Sequence, residues 1–201
     1  VNTNKYLFMK RFLMYYNFAK RLLWWGLNVW RFKKLGLQSF IHSPLKVQGS
    51  KNIIIGKKVI IHYKTWIASV PLNNLSDSIL EIGDGSIIGN FNHIYSSKKI
   101  IIGKNVLTAD KVYISDNLHS YDNPNIPVMN QPIRQNKEVV IGNGSWIGEN
   151  VCILGASIGK NCVIGANSVV TKNIPDLCIA VGNPAHVIKI FNKNTNSWEK
   201  I

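Results

Sequence analysis

The amino-acid sequence predicts a mainly β protein: a parallel β-helix with a helical segment in front of it and a long loop excursion in its second half. Three observations carry that prediction. The dipeptide Ile-Gly occurs at Ile55, Ile82, Ile88, Ile102, Ile141, Ile147, Ile158 and Ile164, so eight of the fifteen glycines follow isoleucine. Three pairs of these isoleucines stand six residues apart (Ile82/Ile88, Ile141/Ile147, Ile158/Ile164), and the same frame extends through Ile61, Ile67, Ile94, Thr108, Ile114, Ile153 and Val170. An α-helix would carry such residues around its surface by roughly 240° per step. A solenoid with three hexads per coil instead points one aliphatic side chain of each hexad inward, and the small residue after it marks the sharp bend or positive φ of the corner.

Composition sets the limits. At 201 residues the chain is one domain of ordinary size with room for a sizeable core, and 46% hydrophobic against 17% charged residues excludes a disordered chain. The net charge of +14 is concentrated in the first third: Val1 to Ser76 holds thirteen Lys and Arg with no Asp or Glu, while Asp77 to Ile201 holds eleven basic and ten acidic residues. Cys152, Cys162 and Cys178 form an odd set without a C-x-x-C pair, which indicates neither a disulfide framework nor a zinc knuckle and fits a reducing cytosol.

Taken in order, residues 1–45 form a basic, aromatic helical segment. From Lys5 to Lys34, polar residues recur at Lys10, Asn17, Arg21, Asn28 and Arg31, the narrow stripe of one or two helices whose other surface carries Trp24, Trp25 and Trp30. Something must cover that surface: the body of the protein or a neighbouring subunit, or an anionic membrane met by tryptophan and basic residues. Its charge-free stretches, Phe12 to Ala19 and Leu22 to Trp30, are too short to span a bilayer. Lys10-Arg11 and Lys20-Arg21 interrupt any signal peptide. The expected location is the cytoplasm, with a peripheral contact on the inner face of the cytoplasmic membrane as the sharper expectation. No nucleic-acid reading motif is present.

Residues 46–173 are the solenoid. A short excursion, Ser69 to Ser78, and a longer one near 116–138 containing Pro124, Pro127 and Pro132 interrupt it, and loops that break a regular solenoid carry function. The five-residue step from Ile153 to Ile158 has no sequence-level explanation. Residues 174–201 leave the repeat at Ile174-Pro175 and read as a cap and polar tail, with room for a short terminal helix.

Four pieces make the pattern more specific: Ile114 to Tyr121 (ISDNLHSY), Trp146 to Val151 (WIGENV), Ile164 to Lys172 (IGANSVVTK) and Gly182-Asn183-Pro184-Ala185. They resemble the hexapeptide-repeat O-acetyltransferases with a left-handed β-helix, particularly those acting on lipopolysaccharide O-antigen or capsular polysaccharide, relatives of the maltose and galactoside enzymes. The resemblance implies acetyl-CoA as co-substrate, a homotrimer with that co-substrate between adjacent subunits, and a sugar or surface-glycan acceptor. It places His119 as general base, a task suited to neutral imidazole. Where the family often shows Asp-His-x-His, this chain has Asp116-Asn117-Leu118-His119, keeping only the second histidine. Asp116 is either an orienter of His119 or a capping residue. The resemblance also implies that the Trp146 backbone amide stabilises the oxyanion, with its indole as a wall for the pantetheine arm as the alternative. Ala166, Thr171, Lys172, Pro184, His186 and Lys189 are expected along the coenzyme, and Asn90 at the acceptor.

His42, His62 and His93 are expected to be structural or merely exposed. The zinc sites of solenoid carbonic anhydrases need closely spaced histidines that His119 lacks, so no metal is expected. Acetyl transfer to a small acceptor, such as an antibiotic or a nucleotide-linked amino sugar, and a non-catalytic scaffold remain as alternatives.

Overall fold

The six-residue spacing becomes three faces of a prism. In the computed structural model, which describes residues 3–72, 77–135 and 137–201, each inward aliphatic residue sits on a short strand stacked in parallel on its counterpart one coil away. The middle of the shorter excursion, residues 73–76, lies outside the described residues, as do residues 1–2 and 136 and the side chains of 3–10 and 135.

The first face stacks Lys34–Leu35, Ile53–Ile55, Ile79–Ile82, Lys99–Ile102 and Val139–Ile141. The second stacks Phe40–Ile41, Ile60–Ile61, Ile87–Ile88, Leu107–Thr108, Trp146–Ile147, Val163–Ile164 and Cys178–Gly182. The third stacks Lys46–Gln48, Trp66–Ser69, His93–Ser96, Tyr113–Ser115, Cys152–Leu154 and Val169–Val170. Register is isoleucine on isoleucine: Ile102 lies between Ile82 and Ile141, and Ile94 between Ile67 and Ile114. These side chains are fully buried, each contributing about 1.5–3 kcal/mol by its burial. The fold is a left-handed parallel β-helix, and its ladder begins at Lys34, upstream of the first clear hexad in the sequence.

The glycine of each Ile-Gly pair serves close approach rather than positive φ. A Cβ on Gly83 would lie 2.6 Å from the carbonyl carbon of Gly103, and one on Gly89 would lie 2.5 Å from that of Ala109. The left-handed backbone falls two residues later, on Gln38, Lys58, Gly85, Asn105, Gly144 and Asn161 at one corner and on Lys64, Phe91, Lys111, Asn150 and Asn167 at the next. Asparagine and glycine tolerate that conformation at little cost.

Two corners are constant and the third is not. Steps from the first face to the second (Ile55 to Ile61, Ile82 to Ile88) and from the second to the third (Ile61 to Ile67, Ile88 to Ile94) are all six residues. The return to the first face is eight residues from Ile94 to Ile102, and both excursions, Ser69 to Ser78 and the loop after Asp116, leave from this corner. The step from Ile153 to Ile158 is its shortest version before the cap. There Gly155 turns at φ 59° and the first-face strand shrinks to the bridges of Ile158 with Ile141 and Ile174.

At the amino end a single helix, α1 (Thr3–Asn28), docks by its last turns. Trp24 meets Phe40 edge-on at 5.2 Å, the Trp25 Nε1–H donates to the Leu35 carbonyl at 3.0 Å, and Val29 packs on the core. Residues 11–20 are exposed around the whole helix, and Trp30 is 69% exposed. The three tryptophans grouped by the sequence therefore divide: two are covered by the body and one is not. Among the described residues no helix is long and apolar enough to cross a membrane.

At the carboxyl end the structure replaces the short terminal helix by strands. Cys178–Gly182 extends the second face, Ala185–Asn192 folds back antiparallel on it, and Ser197–Lys200 follows antiparallel again, with Trp198 against Phe191 at 5.3 Å. Alternating residues such as Val187 pack on the core along this meander, a period of two that a helix cannot use.

Candidate active site

Asp116 holds the point where the long loop departs. Its carboxylate is fully buried and accepts from the backbone N–H of Ser97 at 2.7 Å and of Lys98 and Lys99 at 2.8 Å. The Ser97 and Ser96 hydroxyls and the Asn117 side-chain amide add bonds of 2.8, 3.2 and 3.1 Å. Burial alone would raise its pKa; the Ser97 and Lys98 amides, with the Asn117 and Ser97 side chains, outweigh burial and hold it below the usual carboxylate range. None of these bonds reaches His119. Asp116 is thus the anchor of the loop on the preceding coil, and its alternative role as orienter of His119 falls away.

Beyond this anchor, Asn117–His119 pairs antiparallel with Ile133–Gln135, placing His119 opposite Ile133. The tip is tied by Gln131, whose Nε2 donates to the carbonyls of Asn123 and Ile126 at 2.9 and 2.8 Å while its Oε1 accepts from the Asn123 N–H. Arg134 pairs with Asp122 and lies over Tyr121. The excursion is therefore an ordered hairpin laid over the third face.

Beneath the hairpin is a cavity of about 490 Å³. Its floor is the outer surface of the third face, carrying Trp66, His93, Tyr95, Tyr113 and Leu154, and its roof is Asn117, Leu118, His119 and Ile133. His119 is exposed at the edge, and its imidazole makes no hydrogen bond to another described residue, so it is free to take a proton from a bound hydroxyl.

Neighbouring coils assemble the floor. Trp66, His93 and Tyr113 occupy the same register position, and the His93 ring lies flat on Trp66 at 4.1 Å and 12° and tilted against Tyr113 at 5.2 Å. His93 thus differs from His42 and His62, which stack on each other at 5.7 Å away from this cavity. The sequence signal for the floor is the residue just before each inward aliphatic of the third strand (Ile67, Ile94, Ile114), a position legible once the three faces are assigned.

The remaining expected residues divide. Trp146 lies on the second face with its indole half exposed, and its N–H donates to the Cys162 carbonyl at 2.8 Å within the ladder. This corrects the oxyanion role given to the Trp146 amide: its hydrogen is already spent, and only the indole faces outward. Asn90 is likewise occupied, its amide donating to both Asp110 oxygens at 3.1 Å and its oxygen accepting from the Tyr63 N–H at 3.1 Å. It staples a corner and does not line the cavity beneath the hairpin.

Ala166, Pro184 and His186 are exposed and gather at the corner between second and third faces, where the Gly182 N–H donates to Ser168 Oγ at 3.1 Å. Thr171 and Lys172 are exposed at the next corner, while half-buried Lys189 pairs with Ile179 toward the other end of the strand. None of the six lines the cavity that His119 borders.

Known proteins resemble this chain in sequence and fold. A family model described as "Bacterial transferase hexapeptide (six repeats)" matches residues 138–172. The chain is 36% identical over 137 residues to the putative lipopolysaccharide biosynthesis O-acetyl transferase WbbJ of Escherichia coli (strain K12), covering 64% of this chain and 69% of that protein. It is 35% identical over 164 residues to the galactoside O-acetyltransferase of the same strain, covering 78% and 76%. The crystal structure of a maltose O-acetyltransferase from Clostridium difficile 630 superposes with a TM-score of 0.55 at 31% identity, covering 82% of this chain and 72% of that one.

Proposed function

The chain belongs to the hexapeptide-repeat acetyltransferases, and from that premise we propose that it transfers the acetyl group of acetyl-CoA to a sugar hydroxyl of a bacterial surface glycan or its precursor. The observation that carries this reading is the free imidazole of His119 at the edge of an aromatic cavity, on a hairpin anchored by Asp116. An imidazole nitrogen of His119 takes the acceptor proton as the hydroxyl oxygen attacks the thioester carbonyl carbon. When the carbon–sulfur bond breaks, the same nitrogen returns the proton to the departing thiolate, so the products are an acetyl ester and the free thiol. No covalent enzyme intermediate is required.

The second face supplies the natural contact between copies of a homotrimer. Ile87, Leu107 and Trp146 form one exposed apolar column on it, paired in register through successive coils. In such an assembly the Trp146 indole walls the pantetheine arm between subunits, Ala166 lets that arm approach the backbone, and Thr171 lies beside it. Pro184 meets the adenine, Lys172 supplies positive charge to the phosphates, and His186 and Lys189 lie toward them. Helix α1 serves as a membrane-docking element, the coils that begin at Lys34 carry catalysis and 174–201 cap the core. Asn90 keeps an acceptor contact only through what its corner bonds leave free.

Replacing His119 by alanine is expected to lower acetyl transfer by roughly 10²–10⁴-fold, the usual contribution of a general base, with acetyl-CoA binding retained. Titrating acetyl-CoA calorimetrically and measuring turnover on the same preparation checks this. A variant that binds normally and keeps more than about a tenth of the rate removes His119 from the role of base. Mass spectrometry of surface glycan from cells with and without the protein identifies the acetylated sugar.

A further inference from the structure

We propose that Lys20, Arg21, His42 and His62 form a binding site for a phosphate group where helix α1 meets the first two coils. The site lies apart from the cavity beneath the hairpin and does not depend on the acetyl-transfer reading. Its position in the repeat is the first sign. The residue after the inward one on the second face is small in four successive coils, at Gly89, Ala109, Gly148 and Gly165, but is histidine in the first two, at His42 and His62. These two rings lie nearly parallel, 5.7 Å apart with 7° between their planes, and both residues are half-buried at the surface. Phe40 meets His42 edge-on at 4.4 Å and carries the Lys20 ammonium 5.6 Å from its ring centre.

The charges around this stack are of one sign. His62 of the next coil and Lys20 and Arg21 of α1 all act on His42, and Val1 to Ser76 contains no Asp or Glu to offset them. Burial first, and then these three neighbours, lower the His42 pKa, so without a ligand its imidazole is uncharged at neutral pH. An anion among the four reverses that balance. The Arg21 guanidinium offers a fork that matches phosphate oxygens, and the negative charge favours the imidazolium, so binding takes up a proton and tightens as pH falls. Arg21 also borders a cavity of about 300 Å³ lined by Met14, Asn17, Phe18 and Gln38. Two amides beside exposed Met14 and Phe18 suit the organic part of an amphipathic phosphate ester. The same chemistry is offered by a lipid headgroup and by a free phosphate ester; the lipid source rests on the membrane-docking reading of α1, the phosphate site does not.

The full chain, labelled at its histidine side-chain nitrogens, is titrated with sodium phosphate against sodium chloride of equal ionic strength. Phosphate is expected to move the His42 and His62 resonances saturably. It should raise the His42 titration midpoint by about one unit, which corresponds to about tenfold tighter binding to the protonated ring. Arg21→Gln is expected to weaken phosphate about tenfold or more, with the melting temperature in chloride unchanged. Sedimentation with phosphatidylcholine vesicles, with and without phosphatidylglycerol, separates the sources. Native binding to phosphatidylglycerol should strengthen from about pH 8 to about pH 6, where histidine gains its charge, and His42→Gln should flatten that dependence. If phosphate binds at the histidines while native, Arg21→Gln and His42→Gln chains sediment alike at every pH, the lipid source is overturned and a free phosphate ester is the ligand. If chloride moves the two histidines as far as phosphate does, or Arg21→Gln leaves the phosphate affinity unchanged, the site is overturned, whether or not α1 holds the chain on vesicles.

Discussion

Six donors converge on the Asp116 carboxylate, so Asp116→Asn keeps the shape while turning one accepting oxygen into an amide that faces backbone N–H groups. The substitution is expected to cost about 2–3 kcal/mol, read as a lower urea midpoint at neutral pH. Because the folded pKa is depressed, the native contribution is complete above the unfolded carboxyl value of about 3.9 and is lost as pH falls through the lower folded value. Native and variant midpoints therefore converge in acid; a gap that stays constant with pH would show that the charge contributes nothing. His119 and the sequence around it were legible because a motif places them on the loop. Trp66, His93 and Tyr113 were not, because they lie far apart in the chain and meet only through coil stacking. A motif says nothing about where a backbone hydrogen points, and that of Trp146 is spent on the Cys162 carbonyl.

Element by element, what the sequence could show follows the constancy of each corner. Hexads were legible because two corners never change length and their inward residues must all be aliphatic. The third corner varies from coil to coil, which hid its common origin for both excursions and left the Ile153 to Ile158 step unexplained. The antiparallel cap at 178–200 was missed because its alternation is short and mixed with polar residues. Helix α1 was visible from its period, but not its docking by the last turns. That docking separates two roles along one helix: Trp24 and Trp25, with the Lys20 ammonium over the Phe40 ring, hold it to the first coil, while Phe12, Tyr15, Tyr16 and Arg11 project into solvent. Aromatic residues interleaved with cations suit an anionic bilayer surface, where each well-placed basic residue adds about 1 kcal/mol. Removing residues 1–18 is expected to abolish sedimentation with phosphatidylserine-containing vesicles while leaving the melting temperature and the number of chains per assembly unchanged. Intact protein should release from the vesicles as salt shortens the screening length. Vesicle binding that survives the truncation would assign the membrane contact to another surface.

At the scale of the whole molecule, the prism geometry separates residues that one reaction must bring together. The outer surface of the third face carries the cavity bordered by His119, and the second face carries the Trp146 indole; two faces of a triangular solenoid look in different directions. If both residues border one reaction site, they do so from different copies, which is what a ring of three subunits meeting face to loop provides. The ion pairs Lys99–Glu138, Lys104–Asp84 and Lys111–Glu149 join residues of the later coils, leaving the basic first third as a pole of positive charge on every copy. Light scattering is therefore expected to give about three times the chain mass. Hybrid assemblies test whether the sites are shared. His119→Ala and Trp146→Leu, the latter retaining an apolar contact for the interface, are each expected to show low activity at limiting acetyl-CoA. Co-expressed at equal levels, they regain about a quarter of native activity, because each shared site draws an intact His119 from one random copy and an intact Trp146 from its neighbour. Activity no higher than the mean of the two parent variants would place both residues in the same subunit's site, or Trp146 outside it.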